Sequence, residues 1–263
     1  MPNLPQLQPT PKPRSQLLAD YLAACRAEQA RRATRRARER KLFTLYPDAG
    51  ELRRELYHKH TEFFAAGAQH NERAFIAGNR VGKSLCVGYE LTCHLIGWYP
   101  AWWVGYRFHR PVVAWAAGED VKAVRESLQP ILMGDADARG TGLIPAANIS
   151  RSPARPGVPD ALDFAEIKHS TGGASRLLFK AYEQGRESFQ ASTVDIGVLD
   201  EEPPLPIYTE MLTRTLSTVP GQPNGLVLCA FTPLRGISAT VLQFLPGGAY
   251  PASEELRRQA WGW

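Results

Sequence analysis

Apolar residues fall along the chain with a period that switches repeatedly. Leu17, Leu18, Tyr21, Leu22 and Cys25 recur at helical spacing, so a helix is expected from Ser15 to about Lys41. Leu52, Leu56, Phe63 and Phe64 share one side of a second helix, expected over Gly50 to Ala66. The short apolar run RAFIA at 73–77 predicts a buried strand, with a helix from about Lys83 to Gly97 after it. PVVAWAA at 111–117 predicts another strand, followed by a helix from about Asp120 to Met133. Residues 134–160 are rich in Gly, Pro and Asp and read as a long loop. DFAEIKH and SRLLFKAY, separated by STGGA, predict a β-hairpin, and QGRESFQAS a helix or turn. DIGVL at 195–199 and GLVLCAF at 225–231 predict two further strands, with a helix over about Ile207 to Thr218 between them. Strands alternating with helices imply a mostly parallel sheet covered on both faces.

Composition narrows this picture. At 263 residues with 44% hydrophobic and 22% charged positions, the chain has globular proportions, which excludes wholesale disorder. Its charge of +5 is unevenly placed. Residues 1–41 hold ten Lys or Arg and three acids, a charge of +7, so the remainder carries −2. A nucleic-acid argument from net charge therefore applies to the N-terminal arm and not to the body. Within the arm, Arg31, Arg32, Arg35, Arg36, Arg38 and Arg40 surround the helix. They make either a solvated helix or a docking arm for DNA phosphates or an acidic partner. The four cysteines form no C-x-x-C pair, which argues against a disulfide framework or structural zinc site and for a reducing compartment. The most apolar stretch, 91–117, is broken by His94, Pro100, Arg107, His109, Arg110 and Pro111 and cannot cross a membrane as a helix.

The most informative segment is Gly78-Asn79-Arg80-Val81-Gly82-Lys83-Ser84, placed between an expected strand and an expected helix. It resembles a Walker A phosphate loop, with Ala77 at the first glycine position. Backbone N–H groups around Gly82 can converge on phosphate oxygens, and the helix adds its positive N-terminus. Lys83 would neutralise the β- and γ-phosphates, and the Ser84 hydroxyl would ligate Mg²⁺. Arg80, inside the loop, is either a cation that swings toward the γ-phosphate or a solvent-facing side chain.

A phosphate loop needs a carboxylate beside its magnesium. Asp195 to Leu199 forms an apolar strand, imperfect at Gly197, that ends in Asp200-Glu201-Glu202. Asp200 would hold Mg²⁺ and Glu201 would polarise the attacking water. Glu202 reads as structural or hydrogen-bonded to a loop. Thr232 ends the last strand, at the sheet edge where ligands of α/β proteins bind, and is either a γ-phosphate sensor or a plain Thr-Pro turn.

Taken together, GNRVGKS, FKAYEQGRESFQAS, VLDEEPP with IYTE, and FTPLRG resemble the ATPase domain of large terminase subunits, the motors that package DNA into tailed-phage capsids. The resemblance covers about Lys41 to Phe244. It implies a RecA-like α/β P-loop fold with an additional strand and a catalytic glutamate, ATP and Mg²⁺ as ligands, and Asp200 and Glu201 as the acidic pair. It also implies Thr232 in the coupling motif and Arg80 as an arginine switch. LYPDAGELRRELYHKHTEFFAAG resembles the adenine lead-in, with Tyr57-His58 where Tyr-Pro is expected and His60 where relatives place glutamine. Arg186, in a Gln184-Gly185-Arg186 match, is either a sensor or inter-subunit arginine or a structural salt bridge.

The implied organisation is a Pro-rich lead-in and basic arm (1–41), the ATPase domain (42–250) and the start of a linker (251–263). A nuclease domain would lie beyond Trp263, and no nuclease activity is expected of these residues. The implied partners are double-stranded DNA, a portal protein, a small terminase subunit and further copies in a ring, in the host cytoplasm and transiently at the capsid portal. Arg107, Arg110, Arg151, Arg155 and Lys168 are candidate DNA contacts or solvated surface charges. Rival readings are another P-loop motor, such as a helicase or partition ATPase, and a non-catalytic docking module.

Overall fold

The computed structural model describes residues 13–245 except positions 40, 191, 221 and 235; side chains at 14, 15 and 33–39 are likewise not described. The Pro-rich lead-in, the arginines at 35, 36, 38 and 40, and the expected linker start lie outside the described residues. The chain divides into two compact units, 1–38 and 39–263. The first holds most of one long helix, α1 (Arg14–Glu39). Along it, Arg32 pairs with Glu28 one turn earlier, at 2.8 Å.

The second unit holds α2 (Lys41–Thr44), α3 (His58–Ala66), β1 (Glu72–Ile76), α4 (Lys83–Ile96), β2 (Val113–Gly118), α5 (Val121–Glu126) and α6 (Leu128–Met133). These are followed by β3 (Ile149–Arg151), β4 (Phe164–Lys168), β5 (Ala174–Ala181), β6 (Ile196–Asp200), α7 (Leu205–Thr215), β7 (Leu226–Phe231) and α8 (Ala239–Gln243). One sheet runs in the order β1-β7-β6-β2-β5-β4-β3. β1, β7, β6, β2 and β5 pair in parallel, and β4 alone runs against its neighbours. β7 is inserted between the strand that feeds the phosphate loop and the strand that ends in the acidic triplet, the additional-strand arrangement expected from the resemblance.

Two cores sandwich the sheet. Leu91 and Leu95 of α4 and Leu132 of α6 pack with Ile196, Val198 and Leu228 on one face. Met211 and Tyr208 of α7 pack with Leu199, Val227 and Cys229 on the other. No described helix is long and apolar enough to cross a membrane.

Three expectations are corrected. The helix expected from Gly50 begins at His58, after a single 3₁₀ turn at Arg54–Tyr57. Gly50 instead turns at φ 99°, and Arg54 folds back onto the Tyr46 carbonyl (3.2 Å) and Asp48. The helix expected over 120–133 breaks at Ser127 (φ −113°, ψ −80°), three residues before Pro130, whose ring cannot follow an unbroken helix. The loop expected over 134–160 contains β3, which extends the sheet beyond β4.

Gly197 has a packing reason. A Cβ there would collide with Met211 Sδ of α7, so the missing side chain lets α7 lie directly on the acidic strand. We predict that Gly197→Ala costs about 1–3 kcal/mol through overpacking, read as a lower denaturant midpoint with an unchanged slope. An unshifted midpoint would show that α7 can move away freely.

Candidate functional site

The phosphate loop sits between β1 and α4. Gly82 caps the helix N-terminus in the left-handed conformation (φ 82°), and a Cβ there would approach His60 Cε1 to 3.1 Å. Glycine is thus needed for both backbone and space. Arg80 is also left-handed (φ 67°) and exposed, with no ion pair among the described residues.

Lys83, buried against the rim, donates to the Gly78 carbonyl at 2.7 Å and to Thr232 Oγ1 at 2.8 Å. Burial lowers its pKa, and the carboxylates of Glu201 and Asp200 oppose that shift. Thr232 Oγ1 also lies 2.9 Å from the Ala77 carbonyl and 2.8 Å from Asn79 Oδ1, so its single proton serves one of them at a time. The end of β7 thus meets the loop through the Thr232 hydroxyl and through the Phe231 carbonyl, which accepts from the Ala77 N–H at 3.4 Å.

Ser84 donates to Asp200 Oδ1 at 2.7 Å, joining residues 116 positions apart. Ser127, at the break between α5 and α6, reaches the other carboxylate oxygen at 3.3 Å. Burial pushes the Asp200 carboxyl up to about 6, and the hydrogen bond from Ser84 only partly opposes it. Glu201 follows in a left-handed turn (φ 66°) that leaves its side chain exposed. Tyr182 braces this turn, with its hydroxyl 3.0 Å from the Asp200 carbonyl and 3.1 Å from that of Glu201. Glu202 has no loop partner among the described residues, and its Oε2 is buried without one.

His60 lies behind the loop. Its Nε2 is 3.1 Å from the Val81 carbonyl, which can only accept, so this nitrogen carries the proton. Nδ1 then accepts from the Tyr46 hydroxyl at 2.7 Å. A cavity of about 760 Å³ opens between Leu56, Tyr57, His60 and Phe75 on one side and the loop from Ala77 to Gly82 on the other. That volume suits a nucleotide-sized ligand.

A family profile for the N-terminal part of terminase large subunits of the T4-like-virus type matches residues 74–254. The chain belongs to this terminase family. It is 38% identical over 209 residues to the terminase large subunit of Salmonella phage P22, a match covering 72% of this chain and 41% of that relative. The chain thus spans about two fifths of the relative's length. Similar solved structures include the large terminase ATPase domain of Thermus phage P74-26 (15% identity, 78% of each chain, TM-score 0.45). Another is the large terminase of a thermophilic bacteriophage in complex with ADP (14% identity, 66% of this chain and 38% of that one, TM-score 0.39).

Against the terminase expectations, Gly78, Asn79, Arg80, Val81 and Gly82 line the cavity, while Lys83 bonds to Thr232 and, separately, Ser84 bonds to Asp200. Arg186 stands in a different arrangement. Its Nε donates to the buried Glu210 at 2.6 Å, beside Arg214, which is the structural alternative. Burial raises Glu210, but the two guanidinium groups outweigh it and hold the carboxyl below its usual range. Among the DNA-contact candidates, Arg110 is paired with Asp195 at 2.6 Å and Arg107 donates to the Trp103 carbonyl at 2.8 Å. Tyr46, Ser127 and Tyr182 carried no assigned role in the sequence. Tyr182 had a signal in its place in the FKAYEQGRESFQAS segment, and Tyr46 in its place in LYPDAGELRRELYHKHTEFFAAG; Ser127 had none.

Burial lowers the His60 pKa, and the bond to Val81 only partly restores it. The folded protein therefore holds this ring neutral while the unfolded chain takes up a proton near the usual pKa of about 6.5. Stability should fall as pH drops below that value. In His60→Gln the stability slope between neutral and mildly acidic pH should be shallower, by up to about 1.4 kcal/mol per pH unit. Denaturant titrations of both proteins at several pH values check this; identical slopes would assign the acid sensitivity to other groups.

Proposed function

We propose that this chain is the ATP-hydrolysing motor part of a DNA-packaging terminase, and that it drives double-stranded DNA through a capsid portal. The observation that carries this reading is the meeting of Lys83, Ser84, Asp200 and Thr232 at one rim, with Glu201 next in the chain. Membership in the terminase large-subunit family supports the choice of DNA as cargo. A portal protein, a small terminase subunit and further copies in a ring are the proposed partners, because one such domain offers no closed channel for a duplex.

The cavity beside Tyr57 and His60 would take the base and sugar, and the loop N–H groups and the N-terminus of α4 would take the phosphates. Magnesium fits the donor set. A hydroxyl and a carboxylate are the hard oxygen ligands it takes from proteins, and a divalent cation would relieve the desolvation that raises Asp200. When bound, the ion supplies positive charge against the β- and γ-phosphate oxygens. Lys83 would exchange the Gly78 carbonyl and the Thr232 hydroxyl for phosphate oxygens. That exchange would free Thr232 to report nucleotide state to β7. Glu201, exposed at the rim, would accept a proton from the attacking water. Arg80 would stabilise negative charge developing on the phosphate.

Two variants test the assignment. Lys83→Ala should abolish phosphate release with the thermal unfolding profile retained. Glu201→Gln should still bind a fluorescent ATP analogue but turn over roughly 10²–10⁴-fold more slowly. Undiminished turnover in Lys83→Ala would refute the phosphate-loop reading. Nucleotide binding without turnover in the unaltered protein would favour the docking-module alternative.

A further inference from the structure

The second face of the sheet is unevenly covered. Over β7, β6 and β2 it packs beneath α7 and the turn carrying Phe189. Over β5, β4 and β3 alternate side chains turn outward: Arg151, Lys168 and Arg176 are exposed, and Phe164 and Glu166 are half-buried, while the intervening Ala165 and Ile167 are buried. Register places Arg151 opposite Glu166 and Glu166 opposite Arg176. The guanidinium groups of Arg151 and Arg176 lie over the same Phe164 ring, at 5.3 and 4.5 Å. Neither has an ion pair among the described residues. Lys180, next on that side of β5, is instead held under the Phe189 turn, where it donates to the Ser188 carbonyl and lies over the Trp115 ring at 4.5 Å. Three exposed cations thus share a face on which Glu166 is the one acid among the described strand residues, in a body that carries net negative charge.

We propose that this open face of β3, β4 and β5 grips the phosphate backbone of duplex DNA without reading its sequence, and that β5 relays the contact to the phosphate-loop site. The inference rests on the DNA-motor reading above. The cations here stand on three neighbouring strands, and arginine and lysine side chains spread over a face in this way match phosphate oxygens, which position a protein on a duplex without reading its sequence. A guanidinium laid on an aromatic ring is ordered in advance and keeps its N–H edge for phosphate oxygens. Such a grip suits a motor that must move past every sequence. The relay is covalent. β5 ends at Ala181, and the next residue, Tyr182, holds the Asp200 and Glu201 carbonyls. A pull along β5 therefore acts on the turn that aims the acidic pair.

The test compares the full chain with Arg151→Gln/Lys168→Gln/Arg176→Gln. Binding to a duplex of arbitrary sequence is followed by fluorescence anisotropy across a salt series without nucleotide. The basic arm is common to both proteins, so their difference reads the face. The variant should bind more weakly, with a plot of log affinity against log salt flatter by about 2–3, as expected for three lost phosphate contacts. Arg151→Lys/Arg176→Lys should keep the slope. DNA stimulation of ATP turnover should fall while basal turnover stays. Unchanged affinity and slope would overturn the proposal, as would lost binding to polyglutamate with duplex binding intact. Because binding is read without nucleotide, failure of the ATPase reading in the Lys83 variant would leave this result interpretable.

Discussion

Ser84 and Asp200 meet at 2.7 Å because the strands that deliver them run parallel and end at the same rim. They are not adjacent strands. β7 lies between β1 and β6, so the two chain ends are separated by two strand spacings, about 10 Å. The phosphate loop and the first turn of α4 cross that gap. In crossing, they pass over the end of β7, which is why Lys83 lies on Thr232. One topological choice, the inserted strand, therefore places the Thr232 hydroxyl beneath Lys83 and the Asp200 carboxylate beside Ser84.

The crossing is held from behind. Arg73 of β1 and Glu90 of α4 form a two-pronged ion pair, with N–O distances of 3.0 and 2.5 Å, and Arg73 also donates to the Phe63 carbonyl of α3. Glu90 is fully buried. Burial raises its carboxyl, yet the guanidinium of Arg73 outweighs this and keeps it below its usual range. His94 joins the same carboxylate at 3.3 Å, and burial lowers its pKa, so it contributes a hydrogen bond and not a charge. A buried pair of this kind adds little net stability, but removing either partner strands a charge. The pair ties α4 to β1, and through the Phe63 carbonyl to α3, behind the loop that joins β1 to α4.

Much of this was legible in the sequence where chemistry is dense and local. GNRVGKS and VLDEE each concentrate their chemistry-bearing residues within a few positions, and the apolar runs around them marked β1, β6 and β7 to within a residue or two. Elsewhere the deciding contact is remote in the chain. Pro130 marks a helix break near Ser127, but nothing in the sequence signals that the Ser127 hydroxyl reaches Asp200, 73 residues later. Gly197 reads as a flaw in a strand until Met211 is seen lying on it. Tyr46, inside the LYPDAG segment, carries no sign in the sequence that its hydroxyl reaches His60 Nδ1 and backs the ring that holds the Val81 carbonyl.

The backbone itself marks the same region. Among the described residues, four that are not glycine adopt positive φ: Tyr46, Arg80, Asp160 and Glu201. Three of these serve the rim. Each such conformation costs of order 1 kcal/mol or more and persists only where the surroundings impose it. For Tyr46 the surroundings are a cage of Tyr57, Phe64, Tyr89 and Trp102, which sets the hydroxyl on His60. For Glu201 they are the bond from its own N–H to the Ala230 carbonyl (2.9 Å) and the Tyr182 hydroxyl on its carbonyl. The side chains of Arg80 and Glu201 have no ion-pair partner among the described residues to justify the strain. Folding alone would favour glycine at both positions. The strain instead holds a cation in the loop before Lys83 and a carboxylate at the end of β6, both facing solvent.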